Sequence, residues 1–209
     1  MVAVKRSGYP AQMKKFFQRL AVGVALASLA LAFGGARADA QTTLPTPPPS
    51  AWQLLVYSLR LLPISEAPAS PAYDRALAYR TELAEACAAA TDHRTERYIC
   101  IKVARWESFF REDVGRCAVI GKANDRSAWQ IVPRNASEEQ RLCKSLVEDA
   151  RFHVERVRES RGACRHLPKQ EQLALYARGD CASEEGRKLS RFRFPTDNEI
   201  RKLETETTR

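Results

Sequence analysis

The sequence predicts a mainly α domain, helical throughout except for one small β-hairpin. Three observations carry this. Apolar residues recur at helical spacing in several stretches between 51 and 179, the pattern of helices that bury one face. One intervening stretch, 114–132, loses that period and is punctuated by Gly115, Gly121 and Asn124-Asp125, which suits an irregular hairpin better than a helix. Six cysteines, all beyond residue 86, follow an N-terminus with the layout of an export signal.

The N-terminus places Lys5, Arg6, Lys14, Lys15 and Arg19 before an apolar run of 14 residues, 20–33, and then Ala38-Asp39-Ala40. A positive region, an apolar region and a small-x-small site in that order describe a secretory signal peptide, residues 1–40. The run is short of the roughly 20 residues a membrane-spanning helix needs, so no stable membrane insertion is expected after cleavage. Residues 41–50, Gln-Thr-Thr-Leu-Pro-Thr-Pro-Pro-Pro-Ser, read as a proline-rich linker, extended because proline lacks a backbone donor. With 209 residues in all, one domain is expected, from 51 to 195. Loss of residues 1–40 removes six basic residues and one acidic one, lowering the formal charge from +9 to +4. That balance suits an anionic polymer or an ordinary solvated surface, and no concentrated patch points to nucleic acid. A periplasmic or secreted monomer is the expectation.

Within the domain, Trp52, Leu54, Leu55, Val56, Leu59 and Leu62 give a helix over 51–62 that ends at Pro63. An alanine-rich stretch gives a second over 73–90. Ile99, Val103, Trp106 and Phe110 form the apolar stripe of a third, over 95–111, with Glu107 at the border of the stripe. The hairpin follows. A long helix is expected over 137–160, with Leu142, Leu146, Ala150, Val154 and Val157 inward and Gly162 as its stop. Pro168 opens another, with Leu173 and Tyr176 inward and Gly179 ending it. Residues 196–209 are charged and threonine-rich and read as a flexible tail.

An even cysteine count in an exported chain favours disulfides, and proximity in sequence suggests Cys87 with Cys100, Cys117 with Cys143 and Cys164 with Cys181. No Cys-x-x-Cys pair occurs, and His93, His153 and His166 are scattered, so the spacing implies neither a metal nor an organic cofactor.

Glu107 is the candidate for chemistry. Beside Trp106 and Phe109, an apolar wall would raise its proton affinity, as a general acid requires. The alternative is a helix-end glutamate held in a salt bridge. Its surroundings decide between them. Trp106-Glu107-Ser108-x-Phe110, then Ser127-Ala128-Trp129-Gln130-Ile131-Val132-Pro133, then Leu173-Ala174-Leu175-Tyr176-Ala177-Arg178-Gly179 resemble, in order, the Glu-Ser, Gly-Leu-Met-Gln and Tyr-Asn-Ala-Gly segments of the soluble lytic transglycosylases. These belong to the lysozyme-like superfamily, and the resemblance spans residues 95 to 190.

The resemblance implies a lysozyme-like domain in which the hairpin forms one lip of a cleft that takes peptidoglycan glycan strands. It makes Glu107 the catalytic acid at the bond between N-acetylmuramic acid and N-acetylglucosamine. Ser108 would orient Glu107, Gln130 would offer its amide to sugar groups, and Tyr176 would point its hydroxyl at Glu107. Two residues keep two readings each, Trp129 as sugar platform or core and Tyr176 as site residue or core aromatic. Departures from the pattern are Ser127 for glycine and Ala177-Arg178 for Asn-Ala, with Arg178 a candidate contact to a peptide-stem carboxylate. The span from Glu107 to Gln130 is longer than the transglycosylase pattern and resembles that of animal lysozymes. There a second carboxylate assists hydrolysis, and Asp125 holds a similar place. Turn formation by Asn124-Asp125 is the plainer reading. Lytic transglycosylation, hydrolysis by a Glu107–Asp125 pair, and a non-catalytic wall-binding module of the same fold are the three functional expectations.

Overall fold

The computed structural model describes residues 49–207. The expected signal peptide, and all of the proline-rich linker but its last two residues, lie outside them. Helix α1, Ala51–Leu61, begins at a capping box in which Ser50 Oγ accepts from Gln53 N and Gln53 Oε1 accepts from Ser50 N at 2.9 Å, so two end donors are satisfied reciprocally. Helix α2, Pro71–Ala90, is capped by Ser70, and Pro71 stands at the first helical position, where no N–H is needed. Helix α3, Arg94–Ser108, is tied to the end of α2 by the Cys87–Cys100 disulfide. The one-turn α4, Glu112–Gly115, is followed by a loop, then α5, Ala136–Arg141, and α6, Leu146–Ala163. A 3₁₀ turn, Lys169–Glu171, leads to α7, Ala174–Arg178, which Gly179 ends at φ 71°. Helices α8, Glu184–Arg193, and α9, Asp197–Thr207, complete the described chain. Among the described residues the protein is mainly helical and contains no strand.

α3 is the axis of the packing. Helices α1, α2, α6 and α8 all lie against it, and every residue from Tyr98 to Ala104 is buried. The sequence predicts one apolar stripe here. The structure instead buries the middle of the helix on all sides, as a helix surrounded by others must be. Cys117–Cys143 joins the loop after α4 to the segment between α5 and α6, and Cys164–Cys181 joins the end of α6 to the turn after α7. The three pairs are those that sequence proximity suggests.

Four expectations are corrected. The hairpin over 114–132 reduces to a single antiparallel bridge, Arg126 with Ile131. Cys117, Asn124, Ser127 and Gln130 all take positive φ, and such residues interrupt extended backbone before a ladder can form. The third helix stops at Ser108 rather than running to 111, because Phe109 and Phe110 turn left-handed at φ 54° and 58°. The long helix over 137–160 is two: Cys143 at φ 66°, held in its disulfide, breaks the chain, and Ser145 caps the restart by accepting from Glu148 N. It then passes the expected stop at Gly162 and ends at Ala163. The flexible tail over 196–209 is, as far as Thr207, helix α9. Ile200 and Leu203 are buried in the core, Glu199 Oε1 accepts from Lys102 Nζ at 2.9 Å and Glu204 Oε1 accepts from Arg94 Nε at 2.8 Å. Two apolar residues three apart suffice to dock a helix whose composition is otherwise that of a solvated tail.

The left-handed pair after Glu107 is held by burial. Phe110 is buried, and the Arg80 guanidinium lies 4.5 Å from its ring centroid, whereas left-handed backbone at a bulky residue is unfavourable by about 1–3 kcal/mol. Phe110→Ala is expected to lose about 3–5 kcal/mol of unfolding free energy, read by denaturant titration. A loss within 1 kcal/mol would show that burial of this ring does not hold the turn.

Candidate functional site

Glu107 lies in the last turn of α3, its carboxyl partly buried and its Oε1 ion-paired with Nη2 of Arg193, the last residue of α8. Burial pushes its proton affinity up; Arg193, then Arg178 of α7, pull it down, and Asp125 adds a smaller upward push, with the balance upward. The carboxyl is thus desolvated and salt-bridged together. The apolar wall expected from Trp106 and Phe109 is itself largely open to solvent. Those rings are 44% and 56% exposed, Trp106 leans on Phe192 with centroids 5.6 Å apart, and the Arg105 guanidinium stands 4.5 Å from the Phe109 centroid. The charges felt at Glu107 belong to α7, α8 and the turn that carries Asp125, and of these Arg193 of α8 is in contact with it.

Ser108 does not orient Glu107. Its hydroxyl is buried and donates to Ala104 O at 2.8 Å, the back-bond to the preceding turn that a helical serine makes readily. Trp129 is core rather than sugar platform: it is fully buried, its Nε1 donates to Cys100 O at 2.9 Å, and it stacks on His153 with centroids 5.6 Å apart. Gln130 turns back on its own loop, Nε2 donating to Ser127 O at 3.1 Å, so one of its two amide N–H groups is committed locally.

Tyr176 does not reach Glu107 by a hydrogen bond either. Its hydroxyl donates to Trp129 O at 2.9 Å and lies 3.1 Å from His153 Nδ1. One hydroxyl proton serves one acceptor, so Nδ1–H of His153 donates to the Tyr176 oxygen and fixes the tautomer. Burial pushes His153 down to about 3, so the ring is neutral. Burial, and then the negative Glu107, push Tyr176 far upward; its ring is near enough to feel the acid while its hydroxyl holds the Trp129 loop against α6 and α7.

Asp125 belongs to a turn in which Gly121 N donates to Asp125 O at 2.9 Å and Ala123 N to its Oδ1 at 3.2 Å. It is a turn residue, and it is also close enough to Glu107 to be felt there. A Cβ on Gly121 would sit 2.0 Å from Oδ2 of Asp125, so a larger residue there would displace the Asp125 carboxylate. Arg178, the candidate stem-peptide contact, is exposed and gives Nη2 to Glu185 Oε1 at 2.8 Å. The structure therefore gathers Glu107, Asp125, Tyr176 and Arg178 into one neighbourhood and assigns Ser108, Trp129 and Gln130 to local or core bonds. Sequence reasoning missed Arg193 and the role of His153. Arg193 follows Phe192 at the end of a helix the motifs do not cover, and nothing in its spacing singles it out.

A cavity of about 290 Å³ is lined by Trp106, Phe192, Arg105 and Arg191 among others, and one of about 160 Å³ by Pro168, Phe194 and Pro195 among others; Glu107 lines neither. Among the described residues no group of three or more His, Cys, Asp or Glu is placed to hold a metal ion, and no helix is long and apolar enough to cross a membrane. No family profile, curated protein or solved structure matches the chain.

Tyr176→Phe removes the oxygen that pairs His153 Nδ1 and the donor to Trp129 O. It is expected to destabilise the protein by about 1–3 kcal/mol, because buried polar groups are left without partners. Thermal melts compared with the wild type check this, and an unchanged melting temperature contradicts the network.

Proposed function

We propose that the protein cleaves the β-1,4 bond between N-acetylmuramic acid and N-acetylglucosamine in peptidoglycan by lytic transglycosylation, with Glu107 as acid and then base. The observation that carries this is the carboxyl of Glu107, set in the last turn of a buried helix, ion-paired with Arg193 and raised in proton affinity by burial. The ordered likeness of the three segments around Glu107, Gln130 and Tyr176 to those of the transglycosylases, on a mainly helical domain, is what suggests the substrate. Three disulfides fit an exported protein at the cell wall.

In this reaction Glu107 gives its proton to the glycosidic oxygen as the C1–O bond breaks. The C6 hydroxyl of the same muramic residue then attacks C1, and Glu107 takes that hydroxyl's proton, ending as it began. No cofactor enters, and no nucleic acid or second copy of the chain is required.

One observation favours a second reading. The Arg193 ion pair favours the ionised form of Glu107, which suits a non-catalytic wall-binding module. Hydrolysis with Asp125 as the second carboxylate is the other enzymatic route, and the turn geometry of Asp125 does not favour it.

The wild-type chain is expected to release soluble muropeptides from purified sacculi and Glu107→Gln to release none. Glutamine keeps an oxygen for Arg193 Nη2 but not the charge, so the variant is expected to melt below the wild type, and circular dichroism checks that it is folded at the assay temperature. Sacculi that bind the wild type without any release assign it to the binding module. Asp125→Asn is expected to retain activity; its loss with the fold intact selects hydrolysis.

A further inference from the structure

Arg193 reaches Glu107 from α8 with Nη2 against Oε1. Its side chain is 11% exposed, and among the described residues no protein acceptor meets its buried Nε and Nη1. A guanidinium with so few other contacts is neutralised chiefly by the carboxyl it faces. The remaining groups around Glu107 are weaker partners. Arg178 of α7 is solvent-exposed and answers Glu185, so its field is screened. Asp125, from the turn, acts in the opposite sense, and Tyr176 of α7 is bonded to Trp129 and His153.

We infer that Arg193 is the positioning residue of this site, holding the Glu107 carboxyl in place and setting how tightly it keeps its proton. The inference rests on reading Glu107 as the acid. Burial by itself favours the protonated carboxyl and the cation by itself favours the carboxylate. A group that gives a proton to one oxygen and takes one from another needs both forms within reach, which the opposition of the two effects provides. Arg193 acts through Glu107 and need not touch the reacting atoms.

The sign of the effect follows. Removing the cation removes what favours the ionised form, so Glu107 titrates at higher pH, and the alkaline limb of the pH–rate profile, where the acid loses its proton, moves up with it. The test is a carboxyl-carbon NMR titration of Glu107 in the full chain, together with the pH profile of muropeptide release, for the wild type, Arg193→Lys and Arg193→Gln. In Arg193→Gln the Glu107 midpoint and the alkaline limb are expected to rise by about one pH unit or more. In Arg193→Lys, which keeps the charge, both are expected to stay near the wild type. Should Arg193→Gln fail to fold, Arg193→Met fills the same buried space without charge and gives the same reading. A midpoint identical in the wild type and the uncharged variant overturns the inference, because a merely structural Arg193 would lower stability and leave the titration alone. A midpoint that rises in a protein releasing no glycan supports the role of Arg193 and overturns the proposed function.

Discussion

Burial of α3 on every side through Tyr98–Ala104 is the constraint on which the rest of the structure depends. A helix so enclosed cannot leave a polar group without an answer, and among those it contains is Lys102, whose ammonium donates to Glu199 and to Phe194 O at 3.2 Å. Leaving that charge unpaired would be strongly destabilising, so the C-terminal helix is drawn against the core. On the other flank Trp129 donates to Cys100 O, Tyr176 to Trp129 O and His153 to Tyr176. This chain of bonds links α3 to the loop after α4, to α7 and to α6. Glu107 stands in the last turn of the helix that all these contacts immobilise.

The consequence for chemistry is a carboxyl subject to two opposed effects. Desolvation raises its proton affinity and Arg193 lowers it. In an open surface site both would be weak, because water screens charges and solvates the carboxylate. Here the ion pair is largely removed from solvent, so each effect acts at close to full strength. The resulting balance distinguishes Glu107 from the many exposed glutamates of the chain, such as Glu185, which simply answers Arg178.

The helices with strong apolar periods and clear caps were legible in the sequence. Ser50 with Gln53 and Ser70 with Pro71 are local signals, and local signals survive folding. Cysteine pairing by proximity was legible because each pair closes a short span between successive elements. What was not legible depends on contacts distant in sequence. Composition could not reveal that Ile200 and Leu203 would dock, since the partners that recruit α9, Lys102 and Arg94, lie on α3. The left-handed turns at Phe109, Phe110 and Cys143 carry no glycine to announce them. In the site, the residue type and position of Glu107 were readable, whereas its partner was not, because Arg193 is brought to it by the packing of α8 on α3. Trp129 and Tyr176 were singled out as substrate-binding residues; their hydrogen bonds instead tie together the loop and helices near Glu107.

The central claim is that Glu107, held at the end of α3, breaks a glycan strand and returns to its starting state. Mass spectrometry of the soluble fraction after the protein acts on purified sacculi tests it most directly. The account predicts muropeptides ending in 1,6-anhydro-muramic acid, the product formed when the C6 hydroxyl closes on C1. A supernatant with no muropeptides would contradict it.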